Sequence, residues 1–258
     1  MGKKPFYLYG RRPVREFFRA NTDLSLVRKV YLAENFPVDF RRQYLSELPA
    51  TIFDPKPRRD LDRITGGENH QGIILELSGR PAENALAGGW KEVFRSVPED
   101  AGPVVVLDRI QDPHNLGSII RSSEALGARC VFVTGKGAPL SSSVVDRVSA
   151  GATLHLPVFE QGGLAGVLKF ARENEFWVVA AAGDSPEADQ TRQIDFAGIA
   201  ELPPASRLVL LIGNEGEGLK KSLLDGADYV IGIPLRGKID SLNAGVAAGI
   251  LIERLIHR

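Results

Sequence analysis

The stretch VVLDRIQDPHNLGSIIRSSEALGARCVFV, residues 105–133, decides the fold class. Its apolar ends predict buried strands, and the segment between them predicts a polar turn followed by a helix over 116–127. Apolar strands joined through a helix are typical of parallel βαβ units, in which the loops at the carboxyl ends of the strands carry the chemistry. Asn115, Gly117 and Arg121 lie at such a position and are therefore the first candidates for function.

Each of these three residues also has a purely structural interpretation. Asn115 is well placed to cap the helix that we expect to start near Leu116. Gly117 costs helix stability and makes sense if another group approaches that backbone closely. A surface ion pair would explain Arg121 alone, but not its occurrence together with a helix N-terminus suited to a phosphate.

The alternation of strands and helices extends over residues 102–258 and predicts one α/β domain. Strands are expected at 103–108, 130–134, 153–158, 176–182, 207–213 and 229–235, and further helices at 141–149, 164–174, 218–224 and 241–256. Strands this apolar, separated by helices, indicate a mostly parallel sheet covered on both faces.

Residues 1–78 predict a second, smaller α/β domain. Helices are expected at 11–20, 39–48 and 57–65, and strands at 26–33, 50–54 and 71–77. Residues 79–101 are rich in Pro, Gly and Ala and predict a linker, interrupted by a short helix through 90–97.

The charges are unevenly distributed, although the net charge is zero. Residues 1–63 contain 14 Lys and Arg against 8 Asp and Glu, a net of +6, and the remaining residues carry −6. The basic part indicates either a polyanionic partner or a solvated basic surface.

No apolar run could span a membrane, and the first residues lack the pattern of a secretory signal. Because the single cysteine, Cys130, excludes an intrachain disulfide, we expect a cytoplasmic protein with Cys130 buried.

A glycine-rich loop, IGNEGEGL (212–219), follows the predicted strand at 207–213. Gly213, Gly216 and Gly218 would either expose main-chain groups to a ligand or form a tight turn. Glu215 is a carboxylate that a bare turn does not need.

A third loop follows the strand at 229–235 and leads into the last helix, which we expect Asp240 or Ser241 to cap. Small residues at 244–249 would let this helix pack close to another backbone. Ser241 and Asn243 are polar groups at its first turn and are candidates for function.

Several common site motifs do not occur in the sequence. No G-x-G-x-x-G follows a strand, which argues against a dinucleotide site, and there is no Walker A, H-E-x-x-H or G-x-S-x-G sequence. The four histidines are scattered without ligand spacing, so no metal site is expected.

The segments NLGSIIR, IGNEGEGL and IPLRGKIDSLNAGVAAG together resemble the three ordered motifs of the SpoU/TrmH family of RNA ribose 2′-O-methyltransferases. The resemblance covers residues 102–258. Residues 1–78, with NHQGIIL near their end, are similar to the ribosomal-protein-like RNA-binding domain that precedes the catalytic domain in rRNA guanosine 2′-O-methyltransferases of the RlmB type.

The resemblance implies an α/β fold with a deep C-terminal trefoil knot, S-adenosylmethionine bound in that knot, and a homodimer with the site near its interface. It implies that main-chain atoms around Gly213, Ile233 and Leu242 bind the donor. The reaction and substrate side would be formed by Asn115, Arg121, Glu215, Ser241 and Asn243. One departure is visible after SLN, where this chain has Ala244 and Gly245 and many relatives carry a larger residue and a serine.

The implied activity is methylation of a ribose 2′-hydroxyl, in a guanosine of 23S rRNA, without a metal. The family mechanism assigns activation of that hydroxyl to the motif-one arginine, here Arg121. Because a guanidinium has a pKa above about 12, we expect Arg121 to orient the hydroxyl and lower its pKa electrostatically rather than to accept its proton. A tRNA 2′-O-methyltransferase and a non-catalytic RNA-binding protein on the same fold are the alternatives. A nucleotide hydrolase would need a phosphate loop, which the sequence lacks.

Overall fold

The computed structural model describes residues 5–20, 23–84, 86, 89–98, 101–134, 140, 143–182, 193–196, 198–238 and 241–257. The chain divides into two compact units, Met1–Ala85 and Leu86–Arg258, which are described separately below. The domain limits expected at residues 78 and 101 stay predictions.

The first unit is a four-stranded mixed sheet with helices between its strands. Its elements are β1 (Phe6–Tyr9), α1 (Arg11–Arg19), β2 (Val27–Ala33), α2 (Val38–Tyr44), β3 (Phe53–Lys56), α3 (Arg58–Thr65), β4 (Ile73–Leu77) and α4 (Pro81–Asn84). The strand order is β1-β4-β2-β3, with β4 antiparallel to both neighbours and β2 parallel to β3. The core contains Val14 and Phe17 of α1, Leu61 of α3 and the apolar side chains of β4.

The structure corrects three predictions for this unit. β1 was not expected, because four residues are too few to show a strand pattern. The strand expected at 50–54 begins at Phe53, since residues 50–52 after Pro49 form a 3₁₀ turn. The helix expected at 39–48 ends at Tyr44.

The second unit contains a seven-stranded sheet in which every pairing is parallel. Its elements are α5 (Glu92–Arg95), β5 (Val104–Asp108), α6 (Pro113–Ala125), β6 (Cys130–Thr134), α7 (Ser143–Val148), β7 (Val158–Gln161), α8 (Ala165–Glu173), β8 (Trp177–Ala181), β9 (Gln193–Ile194), β10 (Leu208–Ile212), α9 (Lys221–Leu224), β11 (Tyr229–Ile231) and α10 (Ala244–Ile256). The strand order is β7-β6-β5-β10-β8-β11-β9. The expected α/β class with a parallel sheet is confirmed.

The apolar strands of this sheet serve two cores, one on each face. Val105 and Leu107 of β5 belong to the core beneath α6 and α10, whereas Val104 and Val106 belong to the core that includes α5 and α8. This alternation follows from the two-residue period of a strand. Cys130 is fully buried, as expected, and burial raises the pKa of its thiol.

Three predictions for this unit are also corrected. The strand expected at 153–158 begins only at Val158, because residues 152–154 form a 3₁₀ turn whose apolar side chains are buried outside the sheet. The two-residue strand β9 was not expected. β11 ends at Ile231, so the loop that follows it is longer than expected.

Because all seven strands are parallel, the loops after β5, β10 and β11 lie at one edge of the sheet. Among the described helices, none is both long and apolar enough to cross a membrane.

Candidate functional site

The first functional loop leads into α6, which starts earlier than the sequence suggested. Asp112 is the N-cap, and its side chain accepts a hydrogen bond from the backbone N–H of His114 at 2.9 Å. Pro113 takes the first helical position, which its fixed φ favours. The capping role expected for Asn115 is therefore wrong: Asn115 lies within the first turn, 9% exposed, with its side chain available for other contacts.

The third loop leads into α10, which starts later than expected. Asn243 is the N-cap and accepts hydrogen bonds from the backbone N–H groups of Gly245 (2.9 Å) and Val246 (3.3 Å). The capping role expected for Ser241 is wrong, and Asp240 lies outside the described residues.

A chain of side-chain hydrogen bonds connects all three loops. Asn243 donates from Nδ2 to Oδ1 of Asn115 at 2.7 Å, and Asn115 donates from its own Nδ2 to the carboxylate of Glu215. Both oxygen and nitrogen of the Asn115 amide are thereby used, as is expected for a buried amide. The network fixes the loop after β10 to the first turns of α6 and α10.

Close helix packing supports this arrangement and explains why Gly117 and Gly245 are glycines. A Cβ on Gly117 would lie 2.7 Å from Cβ of Val148 in α7, and one on Gly245 would lie 2.8 Å from Oγ of Ser118 in α6. Both α7 and α10 therefore approach α6 more closely than a side chain allows. The small residues of α10 pack against α6 as expected.

The loop after β10 folds back on itself. A Cβ on Gly213 would lie 2.3 Å from the carbonyl carbon of Gly218, so this crossing requires glycine. Oδ1 of Asn214 accepts hydrogen bonds from the N–H groups of Gly216 (2.7 Å) and Glu217 (3.0 Å) and shapes the turn. Asn214 was not among the expected site residues, although an Asn beside a glycine-rich turn is a recognisable signal.

A cavity of about 480 Å³ opens at this edge of the sheet, between the loops after β10 and β11. Its lining includes all three residues expected to bind the donor, Gly213, Ile233 and Leu242, and two of those expected on the reaction side, Glu215 and Ser241. Asn115 and Asn243 do not line the cavity but are joined to Glu215 by the hydrogen bonds above.

Arg121 is the exception among the expected site residues. It is exposed on α6, does not line the cavity, and forms no hydrogen bond or ion pair with any residue that the structure describes. A single chain therefore does not bring Arg121 to the cavity.

The first unit has its own cavity, of about 640 Å³, lined by Arg11, Phe36 and Arg58 together with polar side chains that include Asn35, Asn69 and Gln71. The guanidinium of Arg11 lies over the Phe36 ring, 5.6 Å from its centroid. An aromatic ring beside two cations is the combination that binds unpaired nucleotides.

The loop at 69–72 on the rim of this second cavity is held from inside. His70 is 1% exposed; its Nε2 lies 3.0 Å from Oδ1 of Asp62, and its Nδ1 accepts from the N–H of Gly72 at 3.0 Å. Gln71 has a φ of 50° and accepts a hydrogen bond from the N–H of Arg11. His70 is thus a structural residue, and hydrogen bonds hold the rim in place. Across the described residues of both units, no group of three or more His, Cys, Asp or Glu side chains is placed to hold a metal ion.

Comparison with known proteins gives a family match for each of the two units. The model of the SpoU rRNA Methylase family matches residues 102–253, and the model described as RNA 2′-O ribose methyltransferase substrate binding matches residues 7–81. The fold and these matches define a two-domain RNA methyltransferase of the SPOUT class. More specifically, the chain belongs to the SpoU rRNA methylase family.

Individual relatives span nearly the whole chain. The 23S rRNA (guanosine-2′-O-)-methyltransferase RlmB of Pseudomonas aeruginosa is 31% identical over 257 residues, 97% of this chain and 96% of that protein. YacO of Bacillus subtilis, assigned to the TrmH family of tRNA/rRNA methyltransferases, is 30% identical and covers 100% of this chain and 98% of its own length. The crystal structure of the SpoU methyltransferase AviRb from Streptomyces viridochromogenes, in complex with AdoMet, has the same fold: TM-score 0.74, 23% identity, 98% of this chain and 90% of that one.

Proposed function

We propose that this protein transfers a methyl group from S-adenosylmethionine to the ribose 2′-hydroxyl of a guanosine in 23S rRNA. The observation that carries the proposal is the cavity lined by Gly213, Ile233 and Leu242, tied through Glu215 to the hydrogen-bonded pair of Asn115 and Asn243. The near full-length similarity to RlmB supports the choice of rRNA and of guanosine.

The lining of the cavity suits S-adenosylmethionine. Apolar side chains of Ile231, Leu242 and Leu251 offer a surface for the adenine ring. The carboxylate of Glu215, also in the lining, favours a ligand that carries a sulfonium and an ammonium group. The proposal includes no metal.

The donor supplies an activated methyl on its sulfonium, so the protein has to position the ribose hydroxyl in line with it. We assign Asn115, Asn243 and Glu215 to fixing that wall of the site, with Ser241 as a further polar contact. Arg121 orients the 2′-hydroxyl and stabilises negative charge on its oxygen, since a guanidinium donates hydrogen bonds and does not readily release a proton.

The position of Arg121 supports a homodimer. Arg121 is exposed and outside the cavity of its own chain, while Leu242 and Val246 at the start of α10 are large apolar side chains that are 39% and 52% exposed. A second copy that covers this apolar surface would bring its own Arg121 toward the cavity, because α10 packs on α6. We include in the proposal the trefoil knot that the family resemblance implies for the C-terminal segment.

The first unit is proposed to bind the RNA. Residues 1–63 carry a net charge of +6, and the cavity at Arg11, Phe36 and Arg58 combines cations with an aromatic face. We place the enzyme in the cytoplasm, because its proposed rRNA substrate is found there and because its single cysteine suits a reducing compartment.

The test is transfer of labelled methyl from S-adenosylmethionine to RNA isolated from a strain that lacks the gene. Label in 23S rRNA, and none in 23S rRNA from the parent strain, is expected. Label in tRNA instead would establish the alternative substrate class. RNA binding without any transfer would establish a non-catalytic RNA-binding protein.

A further inference from the structure

Arg109, the residue directly after β5, has an unusual backbone conformation. Its φ is 59°, in the left-handed region that strains any residue with a Cβ. Strained positions persist where surrounding contacts hold them, and they occur often at functional sites. The contacts of Arg109 therefore indicate what this conformation serves.

The guanidinium of Arg109 bridges the end of β5 and the loop after β10. It donates to Oδ2 of Asp108 at 3.0 Å, to the carboxylate of Glu217, and to the carbonyl oxygen of Gly218 at 3.2 Å. Nδ2 of Asn214 donates to the carbonyl oxygen of Arg109 at 3.3 Å. The hydrogen bonds with Asp108 and Glu217 raise the pKa of Arg109, so the residue stays cationic.

These partners are part of the donor cavity. Asn214, Glu217 and Gly218 all line it, and they belong to the same loop as Glu215. The loop is thus held at two places, by Asn115 through Glu215 and by Arg109 through Glu217 and Gly218. Release of the Arg109 side-chain contacts would remove the second of these two attachments from this wall of the cavity.

We propose that Arg109 is a positioning residue that holds the loop at 213–219 in the conformation that binds S-adenosylmethionine. The inference rests on the proposed function of the cavity. It concerns donor binding and not the methyl transfer step, since Arg109 contacts the loop but does not itself line this cavity.

A change at Glu217 tests this positioning role with less effect on folding than a change at Arg109. Asp108 is buried, so a change at Arg109 also leaves a buried carboxylate without its partner and costs stability. The Glu217 side chain is 74% exposed, and its ion pair with Arg109 contributes little to folding. Glu217 itself lines the cavity, so Arg109→Lys, which leaves the Glu217 carboxylate in place, is measured beside it. A loss of donor affinity in both variants would report the position of the loop.

The experiment measures donor binding by calorimetry, and KM and kcat for the donor, in Glu217→Gln, Arg109→Lys and the double variant. Lysine keeps the charge but lacks the planar fork that reaches several acceptors. Each single variant is expected to raise the dissociation constant and KM of the donor roughly threefold or more, while kcat at saturating donor stays within about twofold of wild type. The double variant should bind no more weakly than the weaker single variant, because both changes break the contact between Arg109 and Glu217.

Glu173→Gln is the matched control, because it removes another exposed ion pair, with Lys169, on α8. It should leave donor binding unchanged. If Glu217→Gln and Arg109→Lys both bind the donor as wild type does, the inference is overturned while the proposed function stands. If the wild-type protein itself does not bind the donor, the proposed function and this inference fall together.

Discussion

Asn243 and Asn115 lie 128 positions apart in the chain, yet the side-chain amide of one donates to the carbonyl oxygen of the other at 2.7 Å. Each belongs to the first turn of a helix that follows a strand of the parallel sheet. Their contact joins the start of α6 to the start of α10, and Glu215 adds the loop after β10. The two asparagines are therefore the point at which the three sequence motifs meet.

Replacing Asn115 with alanine should impair catalysis more than folding. Glu215 and the side-chain amide of Asn243 would each lose a partner, and Glu215 would move, so kcat/KM should fall by about tenfold or more. Stability should fall by only roughly 0.5–1.5 kcal/mol, because Glu215 and Asn243 are exposed and water can replace their lost partner. Methyl transfer and denaturant unfolding measure the two effects.

Asn174→Ala provides the control for this change. The side chain of Asn174 donates to the carbonyl oxygen of Phe170 at 2.8 Å, at the end of α8. Its loss should cost some stability and leave methyl transfer unchanged. Equal activity losses in the two variants would show that the Asn115 network acts only through folding.

Two helical glycines give opposite predictions for the same substitution. Gly117→Ala places a Cβ 2.7 Å from Cβ of Val148 and 3.1 Å from the carbonyl oxygen of Val145, so α7 must move and stability should fall by about 1–3 kcal/mol. Gly249→Ala meets its nearest atom, Oγ of Ser122, at 3.7 Å and should gain up to about 1 kcal/mol from helix propensity. Urea unfolding of both variants checks the prediction, and a stabilised Gly117→Ala protein would contradict the close packing of α6 and α7.

Arg121→Ala should reduce turnover by about a hundredfold or more, in line with the loss of one charge-stabilising donor. The dissociation constant of S-adenosylmethionine should not change, because the proposed contact of Arg121 is with the ribose hydroxyl and not with the donor. Calorimetry with the donor and single-turnover methyl transfer separate the two. A variant that methylates RNA at the wild-type rate would refute the role of Arg121.

The same variant tests whether Arg121 acts across a dimer. Arg121→Ala is co-expressed with Gly213→Ala, whose added Cβ cannot be accommodated in the loop beside Gly218. Mixed dimers should regain activity, since one intact cavity would then meet one intact Arg121. Mixed dimers as inactive as the two parents would mean that Arg121 serves its own chain.

Arg58→Ala should weaken RNA binding without affecting the donor. The plot of log affinity against log salt concentration has a negative slope, and loss of one phosphate contact should make that slope shallower by about one. Arg12→Ala is the control, since Arg12 lies in the same unit, carries the same charge, pairs with Glu16 at 2.9 Å and does not line the cavity. Filter binding across a salt series measures both, and identical slopes for the two variants would show that only net charge matters.

The sequence predicted the sheet better than the turns. β5, β6, β8 and β10 were expected to within one or two residues, because parallel strands buried on both faces are continuous apolar runs. The carboxyl-edge rule for parallel sheets was enough to expect the three loops together.

The starts of α6 and α10 were predicted poorly, because neighbouring residues compete as caps with small energy differences, whereas those of α1, α3 and α8 were expected to within one residue. Asp112 and Asn115 are equally good caps, and the fixed φ of Pro113 decides between them. The residues at 153–156 were predicted to form a strand because they include apolar side chains. A buried turn requires apolar side chains just as a buried strand does, so this pattern does not distinguish the two.

Long-range contacts could not be predicted from local pattern. Arg109 contacts Asn214 and Gly218 across more than a hundred residues, so the sequence beside Arg109 does not mark these contacts. The exposure of Arg121 outside its own cavity depends on how α6 packs, which no motif encodes.

The most direct test of the central claim is the chemical position of the transferred methyl group. Labelled 23S rRNA from the transfer assay is digested to nucleosides and separated by chromatography with mass spectrometry. The label is predicted to elute with 2′-O-methylguanosine and to appear about a hundredfold more slowly, or slower still, when the Arg121→Ala protein is used. Label in a base-methylated nucleoside, or no label in any nucleoside although S-adenosylmethionine binds, would contradict it.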